Sequence, residues 1–400
     1  MKKIYIAAYH QSKFGKLMDR KVPDIVSDAV HGVCREINAA PAAMDVGSIG
    51  AACNFSLNEQ GLLAGLMAGV PGLESKPIEA VENACASGGM AVLSVIHKLQ
   101  LGMGEVGVAV GYEKMRDAEG KMDGTLIGKV LGYFSHPDER AGKVYVFPHL
   151  FAEVMRDYMA AYGVSEAELA QIAVCEYGNA KHNPCAQMNK IQITLEQATK
   201  IEGVNRYVVP GLPLKTYDCS QITDGYAALI LATEEGLKKL GIPKGATIEV
   251  AGWGQATDAL KKQGRDVLRP AGAYRAMNTA YAMAGVRPAD VNVAEVHDCF
   301  TVMGAIGTEV IGKAQPGKGA KYWVEGKARP DGECAINTSG GLIAKGHPVG
   351  ASGIAMIGWA AQQLLGKAPA EVQVKHPRMA ATFNIGGPIC ASVCTVLKHA

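Results

Sequence analysis

The stretch VENACASGGM, residues 81–90, sets a single thiol, Cys85, among alanine, serine and glycine where a polar run meets the apolar AVLSVIHKLQ. A residue at a turn that opens a buried helix sits among unpaired N–H groups and the positive end of the helix dipole, which favour a thiolate. Ala84, Ala86, Ser87 and Gly88 leave room for a substrate at the sulfur. By itself the stretch suits a nucleophile and a small core cysteine equally. Three other segments carry reactive residue types. NTSGGLIAKGHPVGASG, residues 337–353, holds His347 between Gly346 and Pro348 in a run too rich in glycine for a helix or a central strand, so His347 is expected on a rigid loop. EVHDCFT, residues 295–301, places His297, Asp298 and Cys299 at the end of an expected strand, where α/β folds gather reactive groups. FNIGGPIC, residues 383–390, reads as a glycine turn whose free N–H groups suit an oxyanion. A lone histidine more often serves structure, and His10, His97, His149 and His376 are read that way.

Strand-like and helical runs alternate around these segments, as in an α/β fold. KIYIAAY, PIEAVEN and VGVAVGYEKM read as strands, and so does SIGAACNF; VPDIVSDAVHGVCREINAA and the run after Cys85 read as helices. Residues 116–216 break the rhythm with the polar stretches MRDAEGKMDG and KHNPCAQMNK around two helical pieces, and are expected to be an insertion over one face. The alternation resumes with DGYAALILAT and ATIEVAGWG, and ends with MAATFNIGG and CASVCTVL as strands. CASGGMAVLSVIHKLQLG followed by VGVAVGYEK echoes GASGIAMIGWAAQQLLG followed by MAATFNIGG. That echo predicts two duplicated halves, with a site between them that draws residues from each. The expected division is 1–116 with 217–244 as the first half, 117–216 as an inserted loop domain, and 245–400 as the second half.

Composition narrows the function classes. A chain of 400 residues with 48% hydrophobic content can bury a large core, and 48 glycines with 6% aromatics suit close helix–sheet layering. Forty basic against thirty-eight acidic side chains, without a basic run, argue against nucleic acid as a partner. No apolar segment reaches the ~20 residues of a membrane span, and the N-terminal run is too polar for a signal peptide, so a cytoplasmic, membrane-free protein is expected. Ten cysteines in such a chain are expected to be reduced thiols. Only Cys390 and Cys394 have knuckle spacing, with no second pair, so no metal is expected.

Together NACASGG at Cys85, HDCF at residues 297–300, the Gly346–His347–Pro348 run and NIG at Asn384–Gly386 resemble the motifs of the thiolases, in the family's order and across essentially the whole chain. The HDCF form is similar to the sterol-carrier-protein-type branch and its bacterial and archaeal relatives. The resemblance implies a five-layer αβαβα fold built from the two halves plus the loop domain. It implies that Cys85 is the acyl-carrying nucleophile, that His347 takes its proton, and that His347 and His297 line an oxyanion hole for a thioester enolate. A second hole would come from the backbone N–H groups of Cys85 and Gly386. Cys299 would be the acid/base thiol, with Asn384 standing where other thiolases keep theirs and Cys390 a weaker candidate. Coenzyme A is then a co-substrate, with no covalently bound cofactor. A homodimer is implied, within a heterotetramer where a small zinc-ribbon/OB-fold companion joins it. The expected substrate is a 3-oxoacyl-CoA, met in degradation and of an aromatic succinyl type such as benzoylsuccinyl-CoA. Biosynthetic acetoacetyl-CoA formation is the alternative, and other readings are a ketoacyl-synthase-like enzyme, a cysteine hydrolase or a non-catalytic acyl-CoA-binding subunit of the same fold. Tyr133, Phe134, Tyr145, Phe147, Tyr158 and Met159 either line the acyl pocket or pack helices.

Overall fold

The computed structural model describes every residue except Ala118, which lies in the polar stretch 115–124. Five strands, β1 (Tyr5–Gln11), β2 (Val46–Gly50), β3 (Ile78–Val81), β4 (Val106–Glu113) and β5 (Gly225–Ala232), pair in the order β3-β2-β4-β5-β1. Five more, β6 (Ile248–Thr257), β7 (Val293–Val296), β8 (Ala335–Ile336), β9 (Met379–Gly386) and β10 (Ala391–His399), pair in the order β6-β10-β9-β7-β8. Numbered within its own set, each set runs first, fifth, fourth, second, third. The senses match as well: β5 is antiparallel to β1 and β4 as β10 is to β6 and β9, while β2 and β7 are parallel to both their neighbours. The echo in the sequence is thus an echo in topology. Tyr5 paired with Glu249 and Ile6 with Ile248, together with the Val250 N–H on Ile4 O at 2.8 Å, join the sets edge to edge.

β4 and β5 are buried on both faces, and their near-continuous Val, Ile, Leu and Ala runs match that placement. The helices Ser87–Gln100 and Ser352–Leu364 pack against each other and against strands of both sets, as a central layer. Val22–Arg35 covers β5 and β1 from outside, and Ala271–Ala284 covers β6 and β10. The result is helix, sheet, helices, sheet, helix. In the central layer a Cβ on Gly353 would meet the Gly89 backbone nitrogen at 2.4 Å and Asn384 Oδ1 at 2.3 Å. Glycine there lets the two central helices touch backbone to backbone, and it leaves room for Asn384 beneath the site.

Between β4 and β5 the chain runs through the helices Gly124–Gly132, Pro137–Arg140, Val146–Tyr162, Glu166–Ala180 and Leu195–Thr199. Glu166–Ala180 starts where Ser165 Oγ accepts the Glu168 N–H at 3.2 Å and Glu168 Oε2 accepts the Ser165 N–H at 2.8 Å, so two otherwise orphaned donors are satisfied.

Two sequence expectations change, and one helix lies where the sequence reading assigned no element. SIGAACNF is a strand only as far as Gly50, and a short helix begins at Asn54. The glycine-rich run before His347 does hold a helix, Gly341–Lys345, because the buried Asp298 carboxylate accepts the Leu342 and Ile343 N–H groups of its first turn, a cap that its own sequence lacks. Thr301–Val310 is a helix with every residue buried, so it has no polar face to betray its period. Among the described residues no helix is long and apolar enough to cross a membrane.

Candidate active site

Cys85 lies in the turn between β3 and the central helix Ser87–Gln100, two residues before the helix begins. Ala84 holds the left-handed conformation, φ 49°, which costs a residue with a Cβ about 1 kcal/mol or more and aims the next side chain out of the helix axis. Ser87 locks the turn, its Oγ donating to Ala84 O at 2.6 Å and accepting the Asn83 N–H at 2.9 Å. His347 comes from the other half. Gly346, at φ 109°, ends the helix Gly341–Lys345, and the His347 N–H donates to Thr223 Oγ1 at 2.9 Å. His297 follows β7, its N–H bound to Phe383 O at 2.8 Å. The Cys85 sulfur and one ring nitrogen from each of His297 and His347 all lie within 4.8 Å of one another.

Hydrogen bonding sets the two imidazoles in opposite states. Ser352 Oγ gives its only proton to Pro348 O at 2.9 Å, so at 2.7 Å it must accept from His347 Nδ1. His347 therefore keeps a lone pair on Nε2. Asn384 Nδ2 lies 3.0 Å from Cys85 O, which can only accept, and 3.0 Å from His297 Nδ1. The amide uses one proton on each, so His297 Nδ1 accepts and Nε2 carries the ring proton. That Nε2–H is buried without a partner, on a residue that lines the cavity. One histidine presents a base and the other a donor, a set built for moving a proton and holding an oxyanion rather than for chelating an ion through two imidazole lone pairs.

Burial dominates the electrostatics. It pushes the Cys85 thiol up to about 12, the Glu113 carboxylate pushes the same way, and the N–H groups of Cys85 and Gly387 oppose it. The expectation of a resting thiolate is corrected: desolvation of the sulfur outweighs the helix end and the two N–H groups. Burial, with the Lys345 ammonium second, holds His347 at about 3, and burial with His347 beside it holds His297 far below the ordinary value. At neutral pH the resting set is a thiol with two neutral rings. Alkylation of Cys85 by iodoacetamide in the free protein should accordingly rise tenfold per pH unit from pH 7 to 10, because the thiolate fraction at pH 8 is only about 10⁻⁴. Peptide mapping of the rate at Cys85 checks this, and a plateau below pH 9 would contradict it.

Cys299 lines the same cavity, with Ser220 N donating to its carbonyl at 2.9 Å, and burial, then Cys85, then Asp298 push its thiol well above the ordinary range. Gly386, expected as an oxyanion donor, ends β9, where a Cβ would meet Asn83 O at 2.0 Å. The next residue, Gly387, lines the cavity, and its N–H opposes the rise of the Cys85 thiol. Cys390 points its thiol at Gly386 O, 3.5 Å away, and is not among the cavity walls. Asp298 is a brace: its carboxylate accepts the N–H groups of Leu342 at 2.8 Å and Ile343 at 3.0 Å, tying the HDCF loop to the helix that leads to His347. Glu113, lifted by burial to about 7, accepts from Ala52, Cys53 and Gly350 at 2.9–3.1 Å and ties the His347 loop to the first half.

The cavity above these groups holds about 140 Å³. Phe134, Phe147, Phe151 and Phe300 are among its walls. Of the inserted aromatics weighed from sequence, Phe134 and Phe147 line it, Tyr133 and Tyr145 are exposed, and Tyr158 is buried with its hydroxyl on Glu309 Oε1 at 2.5 Å. Sequence reasoning missed Gly387 and Cys219, which line the cavity, and Ser352, which sets the His347 tautomer.

Comparison with known proteins agrees with this arrangement. The thiolase N-terminal domain family matches residues 4–235, and the thiolase C-terminal domain-like family matches residues 254–399. An acetyl-CoA acetyltransferase of Methanothermobacter thermautotrophicus is 33% identical over 387 residues, covering 97% of each chain. The benzoylsuccinyl-CoA thiolase subunit BbsB of Thauera aromatica is 30% identical and covers 96% of this chain and 95% of its own. Among solved structures, an Ltp2-ChsH2(DUF35) aldolase superposes with a TM-score of 0.81 at 20% identity, over 99% of this chain and 98% of that one. With both halves matched and the thiol and imidazoles brought together between them, the chain belongs to the thiolase family of acyltransferases.

Proposed function

We propose that this chain cleaves a 3-oxoacyl-CoA with CoA, or runs the reverse Claisen condensation, through an acyl group carried on Cys85. The observation that carries this reading is the pairing of a proton-accepting His347 Nε2 with a proton-bearing His297 Nε2 around one thiol. The Cys85 sulfur attacks the 3-oxo carbonyl as His347 Nε2 takes the thiol proton, and the new alkoxide is held by the N–H groups of Cys85 and Gly387. The C2–C3 bond then breaks, leaving an acyl-thioester on Cys85 and an enolate on the departing acyl-CoA. His297 Nε2–H, joined by His347 now that it bears a proton, binds the enolate oxygen, and the Cys299 thiol protonates C2. The Cys299 thiolate next deprotonates incoming CoA, whose sulfur takes the acyl group, and His347 returns its proton to Cys85. Each oxyanion donor contributes on the order of 3 kcal/mol to the transition state.

The substrate reading rests on the walls. A dry cavity of about 150 Å³ holds a benzene ring, so the 140 Å³ here, faced by four phenylalanines, suits a phenyl-sized acyl group. The likeness to BbsB favours an aromatic, succinyl-type 3-oxoacyl-CoA in a degradative role, and the likeness to the acetyl-CoA acetyltransferase favours acetoacetyl-CoA. The structural likeness to a DUF35 complex supports a small companion protein; the reading makes it a zinc-ribbon/OB-fold protein joined to a homodimer of this chain in the cytoplasm. The repeated strand order supports the division 1–116 with 217–244, 117–216 and 245–400. Thiolysis of a panel of 3-oxoacyl-CoA esters, by the native protein with whatever co-purifies, tests these readings. Aromatic esters should give the highest kcat/KM in a complex with a small zinc protein. Fast cleavage of acetoacetyl-CoA by a lone dimer would overturn the bulky-substrate and companion readings.

A further inference from the structure

The turn that carries Gly387 is strained, and one side chain from a distant loop holds it. Gly387 has φ 61° and Ile389 φ 57°. For a β-branched residue the left-handed region is a true outlier, costing about 1–3 kcal/mol. The turn's own hydrogen bonds, Ile389 N to Gly387 O at 2.8 Å and Cys390 N to Gly386 O at 3.2 Å, close it tightly. Arg265 completes the hold: Nη2 donates to Pro388 O at 2.8 Å and Nη1 to Ile389 O at 3.0 Å, while Nε donates to Lys261 O at 2.9 Å. Among the described residues no carboxylate lies within ion-pair distance of this half-buried guanidinium, so its fork is committed to backbone carbonyls. The Arg265 loop is itself pinned, Lys261 to Asp138 at 2.8 Å, Lys262 to Glu153 at 2.5 Å, and Gln263 N to Glu139 Oε1 at 3.0 Å.

We propose that Arg265 is a positioning residue for acyl transfer, clamping the strained Gly387–Ile389 turn so that the Gly387 N–H stays on the reacting atoms at Cys85. Without the fork, Ile389 relaxes toward negative φ, and the Gly387 peptide two residues before it swings its N–H away from Cys85. The proposal rests on the reading of Cys85 as acyl carrier and of Gly387 N–H as oxyanion donor.

The test compares wild type, Arg265→Ala, Arg265→Lys and the double variant Arg265→Ala/Ile389→Gly in three measurements: single-turnover acylation of Cys85 by acetyl-CoA, KM for acetyl-CoA, and iodoacetamide alkylation of Cys85. Alkylation needs the thiolate, which the Gly387 N–H also favours, but builds no oxyanion, so it feels the loss of that N–H less than acylation does. Arg265→Ala should slow acylation on the order of 10- to 100-fold, the range set by a misplaced or lost oxyanion donor, with KM within about twofold of wild type and alkylation slowed by a clearly smaller factor than acylation. Arg265→Lys, a single ammonium in place of a fork, should recover only part of the loss. Glycine at 389 takes the left-handed conformation without strain, so the double variant should regain at least about fivefold over Arg265→Ala. Unchanged acylation in Arg265→Ala, an equal loss in alkylation, or no recovery in the double variant overturns the proposal. Wild-type protein that takes no acyl group on Cys85 overturns the nucleophile reading, and this one with it.

Discussion

Cys85→Ala should lower thiolysis on the order of 10⁵-fold or more and leave no acyl adduct by intact mass after mixing with acyl-CoA, whereas wild type gains one acyl group per chain. Removing the nucleophile of a covalent mechanism costs a factor of this size because the remaining donors have no acyl-enzyme to stabilise. The variant should stay folded, since the alanine side chain is smaller and Cys85 borders an existing cavity. His347 Nε2 and His297 Nε2–H remain in place, fixed by Ser352 and Asn384, so binding of acyl-CoA should persist while turnover disappears. An acyl adduct that survives the substitution would have to sit on another thiol, and Cys219 and Cys299 are the other two at the cavity.

The second large effect separates the two thiols. Cys299→Ala should leave acylation of Cys85 within about tenfold of wild type but slow complete turnover by about 10²- to 10⁴-fold, the span of a lost general acid/base. The physical reason is the direction of proton flow. His347 serves the Cys85 sulfur through Nε2, and its Nδ1 is tied to Ser352, so it has no second site from which to deliver a proton to carbon. Cys299 is held in reach of the cavity by the Ser220 N–H on its carbonyl, and its raised thiol keeps a proton to give at neutral pH. Trapping of acyl-Cys85 by mass, with little carbon–carbon cleavage or condensation, is the expected outcome. Robust turnover by Cys299→Ala would move the role to Cys219, because Cys390 faces the Gly386 carbonyl outside the cavity.

Much of this site is legible in the chain because its residues lie in short motifs whose spacing is local. Cys85 before a helix, His347 after a glycine and the HDCF triad after a strand are recognisable without coordinates. Their neighbours are not. Asn384, nearly three hundred residues from Cys85, binds its carbonyl and the His297 ring. Asp298, which looks reactive in sequence, is spent on two backbone N–H groups of the helix leading to His347. The fully buried helix Thr301–Val310 was invisible for a related reason: amphipathic period exists only where one face meets water.

Local chemistry in the sequence by itself determines the family motifs, the duplicated halves and the identity of the thiol and imidazoles. Ionisation and orientation belong to the tertiary structure. A thiol's pKa depends on how much water its surroundings exclude, so the helix end that argues for a thiolate at Cys85 loses to burial that lifts it to about 12. A histidine's tautomer depends on what its far nitrogen touches, and Ser352 and Asn384 make His347 an acceptor and His297 a donor. The glycine turn after β9 owes its shape to tertiary contacts as well: Ile389 sits at φ 57°, and the Arg265 fork binds the carbonyls of Pro388 and Ile389.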